Sequence, residues 1–177
     1  MRNAFLCVAL LVTLLSPAWA QRSKFEVFGG YSYRRLDSTG FIANLNMNGW
    51  EASATVGLYR WLSAEAGING HYASPTVAGV PVKVREHSFL AGPRLSVQVR
   101  RLTPFAHALF GVTHLSTEVL ANKDGENAFT MAYGGGLDVK VAPHVAVRLG
   151  QADYLNTRFT RTGRNDFRFS TGLVLRF

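Results

Sequence analysis

The sequence predicts an all-β fold, an eight-stranded antiparallel up-and-down transmembrane β-barrel. Three observations predict it. Apolar residues alternate with small or polar residues over eight separate stretches. The connections between these stretches are alternately long and short. The non-apolar face carries Gly, Ser, Thr and Ala, whereas a soluble surface would carry long charged side chains. Only 17% of residues are charged, which is below the level of about 25% in soluble proteins.

The first 20 residues have the layout of a secretory signal peptide. Arg2 is followed by an apolar run from Ala4 to Leu15 and by the small-residue ending Ala18-Trp19-Ala20. This run is too short for a membrane helix, which needs about 20 residues. We expect cleavage before Gln21 and a barrel domain over residues 21–177. Cleavage would remove the single cysteine, excluding disulfides and cysteine-based sites, and would lower the formal charge from +8 to +7.

Five strands have unbroken alternation. They span 24–34, 50–58, 62–72, 129–141 and 167–177. Three further strands are less regular. In 88–99, Pro93 cannot donate a ladder hydrogen bond and predicts a break. Stretch 104–115 fits two registers, and we favour the one with His107 and Thr113 inward; stretch 144–155 slips near Gly150, which indicates a bulge.

The connections alternate in length, as in a barrel that crosses a membrane. The predicted long loops are Leu36–Met47, Ala73–His87, Ser116–Asn127 and Asn156–Asn165. The predicted short links are Arg60-Trp61, Arg100–Thr103 and Ala142-Pro143. Aromatic residues mark both ends of the apolar face, as at the two headgroup regions of a bilayer. On the turn side they are Phe25, Tyr59, Trp61 and Phe177; on the loop side they are Tyr33, Trp50, Tyr72, Phe129 and Phe167. A soluble secreted lipocalin-like carrier is the alternative eight-stranded barrel.

The two ends of the barrel domain resemble a known family. The ending FRFSTGLVLRF, with its terminal Phe177, and the start FEVFGGYSY from Phe25 are similar to those of small OmpA/OmpX-like outer-membrane β-barrels. This resemblance implies export, residence in the bacterial outer membrane, and insertion by the barrel-assembly machinery, which recognises the C-terminal strand ending at Phe177. It does not imply an activity, because one fold hosts many functions.

The predicted registers point charges of both signs into the lumen. Isolated buried charges are costly, so we expect an ion-pair network that fills the barrel, with an ion or proton path as the alternative. The acidic members are Glu26, Glu51, Glu65 and Asp138, and the basic members are Arg94, Lys140, Arg148, Arg168 and Arg176.

Catalytic candidates are weak. His87-Ser88 with His71 and Glu65 supply the residue types of a set for lipid deacylation, as in a lipid A acyl hydrolase, but Ser88 is predicted to face the lumen instead of the bilayer. The remaining histidines, His107, His114 and His144, are scattered singly and show no metal-ligand spacing. We therefore expect no catalytic, cofactor or metal site.

Basic residues cluster in two places near the predicted loops. Contact with anionic lipopolysaccharide phosphates fits an exported protein, whereas nucleic acid does not; a solvated basic loop is the alternative. The clusters are Arg34-Arg35 and Arg158, Arg161, Arg164 and Arg168. The sequence thus predicts a monomeric barrel with a structural or surface-interaction role exerted through its long loops.

Overall fold

The computed structural model describes residues 25–36, 45–74, 76–77, 80–119, 122–158 and 163–177. The predicted signal peptide lies outside these ranges. The strands are β1 Phe25–Leu36, β2 Leu45–Gly57, β3 Leu62–Ala73, β4 Thr76–Val77, β5 Val80–Ser96, β6 Leu102–Val119, β7 Asn122–Ala142, β8 Val145–Arg158 and β9 Gly163–Arg176. No helix in the described ranges is long and apolar enough to cross a membrane.

Eight of these strands form a closed antiparallel barrel, which confirms the predicted fold class. Each long strand pairs with its sequence neighbours, β3 pairs with β5, and β1 pairs with β9. The short β4 pairs only with the start of β5, at the loop-side end of the wall. Closure matters in a bilayer because it leaves the wall no unpaired edge whose backbone groups would face lipid.

The outward face is apolar and the inward face is largely polar. Exposed side chains along the wall include Ile68, Phe89, Val112, Leu149 and Leu173, whereas Ser, Thr, Arg and acidic side chains are buried inside. The predicted inward placement of His107 and Thr113 is confirmed. The predicted irregularities are also present. The β5–β6 pairing skips Gly92 and Pro93, and the β8–β9 register shifts between Arg148 and Gln151.

The prediction of long polar loops is wrong for the second and third of the four, whereas most of the first, residues 37–44, and residues 159–162 of the fourth lie outside the described residues. β6 and β7 stay paired up to Val119 and Asn122, so only residues 120–121 separate them. β5 already begins at Val80, within a stretch predicted to be loop. The predicted loops over 116–127 and 73–87 are therefore mainly strand. Outside the lipid neither face of a strand has to be apolar, so the alternation fades while the ladder hydrogen bonds continue.

The seam between the first and last strands depends on two glycines. Gly30 faces Gly172 across the β1–β9 pair. A Cβ on Gly172 would overlap the backbone of Gly29 and Gly30, whereas a Cβ on Gly29 would meet nothing within 4 Å. The two strands approach closely enough at this level that only glycine fits.

We predict that Gly172→Ala destabilises the folded barrel by about 1–3 kcal/mol, because overpacking forces the closing strands apart. Gly29→Ala, one position from the same contact, is the matched control and should leave stability nearly unchanged. Urea unfolding in lipid vesicles, read by heat-modifiable gel mobility, measures both variants. Equal midpoints for the two variants would contradict the assigned role of the seam.

Candidate functional site

The lumen holds a dense set of buried charges. Among the described residues, seven carboxylates and five arginines are buried there. They include seven of the residues singled out from the sequence, namely Glu26, Glu51, Glu65, Arg94, Asp138, Arg148 and Arg168, together with Arg176. Alternation places them because every second residue of each strand points inward.

Asp138 is the centre of the turn-side part of the network. Its carboxylate accepts hydrogen bonds from Arg148 Nε at 2.8 Å and from Arg94 Nη2 at 3.0 Å. Arg176 Nη2 lies 3.6 Å from the same carboxylate, and Arg176 Nε lies 3.1 Å from Glu26 Oε1. These residues come from five different strands, so the ion pairs tie opposite walls of the barrel together.

Aromatic rings occupy the space between these guanidinium groups. The guanidinium carbon of Arg94 lies 3.9 Å from the ring centroid of Phe105. That of Arg148 lies 4.0 Å from the ring centroid of Phe28. Phe28 and Phe105 are both buried. Stacking of this kind is favourable for a partly desolvated cation.

The middle of the lumen is organised around Asp153. This carboxylate accepts hydrogen bonds from Arg168 Nη2 at 2.6 Å and from Gln151 Nε2 at 2.7 Å. His107 Nε2 lies 2.8 Å from Asp153, and His107 Nδ1 lies 3.0 Å from Glu65. Carboxylates only accept hydrogen bonds, so this geometry is satisfied when both ring nitrogens carry a hydrogen.

Gln151 connects the middle and turn-side clusters. Its side-chain oxygen accepts from Arg148 Nη1 at 2.5 Å, while its Nε2 also donates to Glu51 at 3.1 Å. Ser170 Oγ donates to the other oxygen of Glu51 at 2.6 Å. The charged groups therefore form one connected network instead of separate pairs.

A third cluster lies near the loop side. Arg34 donates to Glu86 through Nη1 and to Asp166 through Nη2, the second at 2.6 Å. All three side chains are buried. Nearby, Ser32 Oγ lies 3.0 Å from His71 Nε2. The sequence grouped Arg34 with Arg35 as a basic surface pair, and that grouping is wrong because adjacent strand residues point to opposite faces.

Several members of the network were missed from the sequence. They lie in stretches predicted as loops, near strand ends or after the bulge at Gly150, and they are Arg34, Glu86, Gln151, Asp153 and Asp166. Lys140, in contrast, was predicted from the sequence to belong to the network. It is only half-buried and makes no ion pair with any described residue. A register shift between Lys140 and Ala142, which the alternation did not reveal, lies directly beside it.

The proposed acyl-hydrolase set does not assemble among the described side chains. Ser88 faces the lumen, where its hydroxyl lies 2.8 Å from that of Thr113. His87, the next residue along the strand, is exposed on the outer wall with Nε2 3.2 Å from the hydroxyl of Tyr72. In the part of the chain that is described, no group of three or more potential metal ligands is present.

The Ser88–Thr113 contact begins a hydroxyl chain across the inner wall. Thr113 Oγ1 lies 2.7 Å from Thr130 Oγ1, which donates to Thr157 at 3.2 Å. Beside this chain is a small apolar cluster, which consists of Leu90, Leu109, Ala132 and Leu155. The lumen is therefore lined by ion pairs, hydroxyls and apolar side chains in turn.

The outer wall carries arginines at its loop-side rim. Three exposed arginines each stand directly opposite an exposed aromatic residue on the neighbouring strand. The pairs are Arg35–Phe167, Arg85–Tyr72 and Arg158–Phe129. Directly opposed residues in an antiparallel pair share a face, so each arginine lies beside an aromatic ring. Arg168 is instead buried in the lumen, and the side chains of Arg161 and Arg164 lie outside the described set.

The C-terminal Phe177 closes the seam at the turn side. Its backbone N donates to the carbonyl of Phe25 at 2.9 Å, and the two ring centroids are 6.2 Å apart. Phe177 is 65% exposed, so its ring faces outward from the wall.

We predict that Asp138→Asn destabilises the barrel by about 3–5 kcal/mol, because three nearby arginines lose their shared carboxylate. Lys140→Gln, two residues along the same strand, is the matched control and should change stability by less than about 0.5 kcal/mol. Urea midpoints in vesicles compare them. A loss for Lys140→Gln as large as that for Asp138→Asn would place Lys140 in the network and refute the assignment.

Comparison with known proteins agrees with this architecture. Ail of Yersinia pestis superposes with a TM-score of 0.62 at 14% identity, covering 88% of this chain and 100% of Ail. Neisserial surface protein A superposes with a TM-score of 0.71 at 13% identity, covering 89% of this chain and 100% of that protein. The N-terminal β-barrel domain of Pseudomonas aeruginosa OprF superposes with a TM-score of 0.52 at 11% identity, covering 88% of this chain and 100% of that domain. Identities this low show a shared fold alone.

The sequence comparisons define the family. A search of curated proteins finds no match. The sequence model of the outer membrane protein beta-barrel domain matches residues 5–177, nearly the whole chain. The chain therefore belongs to the outer membrane protein β-barrel domain family and lies in the bacterial outer membrane.

Proposed function

We propose that this protein is a plugged, monomeric barrel with a structural and surface-interaction role, anchored in the lipopolysaccharide leaflet by its loop-side rim. The observation that carries the proposal is the set of three exposed arginines, each beside an exposed aromatic residue. The plugged lumen supports a role on the surface instead of transport.

The rim matches the chemistry of a phosphorylated lipid surface. Aromatic rings settle at the headgroup level of a membrane, which sets the depth of Tyr72, Phe129 and Phe167. An arginine beside each ring then lies where lipid phosphates lie, and guanidinium groups bind phosphate by bidentate hydrogen bonds. Three such pairs on separate strand pairs distribute the contact around the barrel.

Neighbouring side chains extend this rim. Tyr72 and His87 stack edge to face with centroids 5.7 Å apart, and Trp50 Nε1 lies 3.5 Å from the Tyr72 hydroxyl. Lys83 is exposed two residues before Arg85 on β5. The rim is therefore both aromatic and cationic where β2, β3 and β5 meet. A crystal structure of Ail contains the heparin analogue sucrose octasulfate, a polyanion, and we extend binding of polyanions to this chain as part of the proposal.

The strands that continue past the rim supply the interaction surface. β5, β6 and β7 have 17, 18 and 21 residues, whereas about 9–11 suffice to cross a bilayer. We propose that this extension presents the protein to partners outside the cell.

The competing classes have less support. A lipid A acyl hydrolase would need Ser88 and His87 on one face, and they lie on opposite faces. A lipocalin-like carrier would need a polar outer wall. Export through the signal peptide, predicted from the layout of residues 1–20, and insertion through recognition of the strand ending at Phe177, implied by the family resemblance, remain parts of the proposal.

We predict that the purified protein shows no steady single-channel openings in planar bilayers, because paired arginines and aromatic rings cross the lumen. Arg94→Ala with Arg148→Ala removes two of these groups and should increase the frequency of openings. Leu173→Ala, on the outer wall, is the control and should stay closed. Steady, sizeable openings from the unmodified protein would overturn the plugged-lumen proposal.

We also predict that Arg35→Gln/Arg85→Gln/Arg158→Gln lowers the affinity for lipopolysaccharide by about tenfold or more, since each arginine near an anionic surface contributes about 1 kcal/mol. The control, Arg35→Lys/Arg85→Lys/Arg158→Lys, keeps the same charge but loses the bidentate geometry of the guanidinium group, and should lose much of the same affinity. Binding is measured by lipopolysaccharide titration of the protein in nanodiscs. Full affinity in the lysine variant would reduce the effect to net charge and contradict a specific rim.

A further inference from the structure

The outer wall has an apolar groove in its turn-side half. The groove has a volume of about 420 Å³ and lies over β2, β3 and β5. Small residues form its floor in two adjacent rows, where Ala64 faces Pro93 and Ala66 faces Ala91. Bulky pairs border these rows, with Ile68 opposite Phe89 on the loop side and Leu62 opposite Leu95 on the turn side. The groove is therefore a local gap in a wall of large side chains.

The groove faces the bilayer, so the molecule that fills it is a lipid. Unfilled space next to apolar atoms forfeits dispersion contacts. Its volume lies within the range of about 300–1,000 Å³ that is typical of small-molecule sites. Leu58 and Leu62 line its turn-side end, so an acyl chain would enter from that leaflet.

The turns below the groove are cationic. Arg60 lies in the turn between β2 and β3, and Arg100 and Arg101 lie in the turn between β5 and β6. These turns are neighbours, because Ser96 N donates to the carbonyl of Trp61 at 2.9 Å. Arg100 and Arg101 are both exposed, and the sequence places no Asp or Glu within their turn. At this end of the barrel the described carboxylates Glu26 and Asp138 are buried in the lumen.

The second turn has an unusual residue choice. Val99 and Leu102 bridge across it, which leaves Arg100 and Arg101 as its two central residues. Arg100 has a φ of 55°, in the left-handed region that favours Gly or Asn. A side chain other than that of glycine is sterically strained in this region. Arginine is present despite this strain, which fits a role for its charge.

We infer that the groove and these turns together form a site for one anionic phospholipid of the inner leaflet. Its acyl chain lies along Ala64, Ala66 and Pro93, and its phosphate lies at the guanidinium groups of Arg100 and Arg101. The chemistry of the site matches both parts of such a lipid, apolar along the wall and cationic at the headgroup level. The site is separate from the loop-side rim and does not depend on the proposed function.

Two tryptophans allow a direct test, because Trp61 lies at the turn side and Trp50 at the loop side. The test uses the exported protein, in which mass spectrometry checks that Trp19 has been removed with the signal peptide. In this protein, Trp50→Phe leaves Trp61 as the fluorescent reporter. Phosphatidylglycerol with brominated acyl chains is titrated into phosphatidylcholine vesicles, and brominated phosphatidylcholine is titrated in parallel. We expect brominated phosphatidylglycerol to associate at Trp61 at least about fivefold more strongly, since fivefold is the gain that each single arginine near an anionic surface provides.

Variants separate the two halves of the site. Arg100→Gln/Arg101→Gln should abolish the preference for phosphatidylglycerol. Ala64→Leu/Ala66→Leu fills the groove and should reduce quenching by both lipids, whereas Ala152→Leu, an exposed alanine on β8, should not. The Trp61→Phe protein, which reports from Trp50, should be unaffected by the turn variants.

Three results would overturn the inference. The first is equal quenching of Trp61 by the two lipids in the unmodified groove. The second is a preference that survives both the turn variant and the groove variant. The third is a dimer in detergent that Ala64→Leu/Ala66→Leu dissociates, since a second copy of the chain would then cover the groove.

Discussion

The exclusion of charge from the lipid-facing wall is the constraint on which the rest of this structure depends. An ionised side chain in hydrocarbon is costly, so the charges within the membrane-spanning part must turn inward. The lumen of eight strands is narrow, so inward charges cannot stay hydrated and must pair. Asp138 and Asp153 each receive several donors for this reason. The glycines, serines and threonines around them keep space for arginine side chains that reach across the barrel.

The same constraint explains what happens at the two rims. Where hydrocarbon ends, arginines appear on the outer wall, beside aromatic rings on the loop side and in the tight turns on the other side. Past the loop-side rim, β6 and β7 continue as a paired ribbon with polar residues on both faces. The barrel is thus an uncharged band between two cationic rims, and its lumen holds buried arginine, carboxylate and aromatic side chains. Shared fold alone does not assign a role to such a molecule, so the function has to come from these surfaces.

Much of the fold could be predicted from the sequence because alternation is a local property. A residue's neighbours along one strand suffice to assign Ser88 to the inner face, and Pro93 and Gly150 to irregular positions, whereas stretch 104–115, which includes Thr113, fits two registers. Most of the lumen charges followed from the same rule. The rule failed at strand extensions, where polarity on both faces resembles a loop, and at Lys140, where a register shift beside the turn changes which way a side chain points.

The sequence by itself determined the strand count, the lipid-facing side of the wall and the exclusion of charge from that side. Each follows from the alternation of apolar and polar residues along a single strand. Only the tertiary structure decided which charges meet. Arg34 binds Glu86, 52 residues away, and Asp166, 132 residues away. Partners at such distances depend on how the strands are staggered around the closed barrel, which is set by all the pairings together. The groove beneath Ile68 and Phe89 arises in the same way, and so do the pairs of arginine and aromatic residues at the rim. Each feature is formed by residues of different strands, and these residues become neighbours only when the strands pair in the closed barrel.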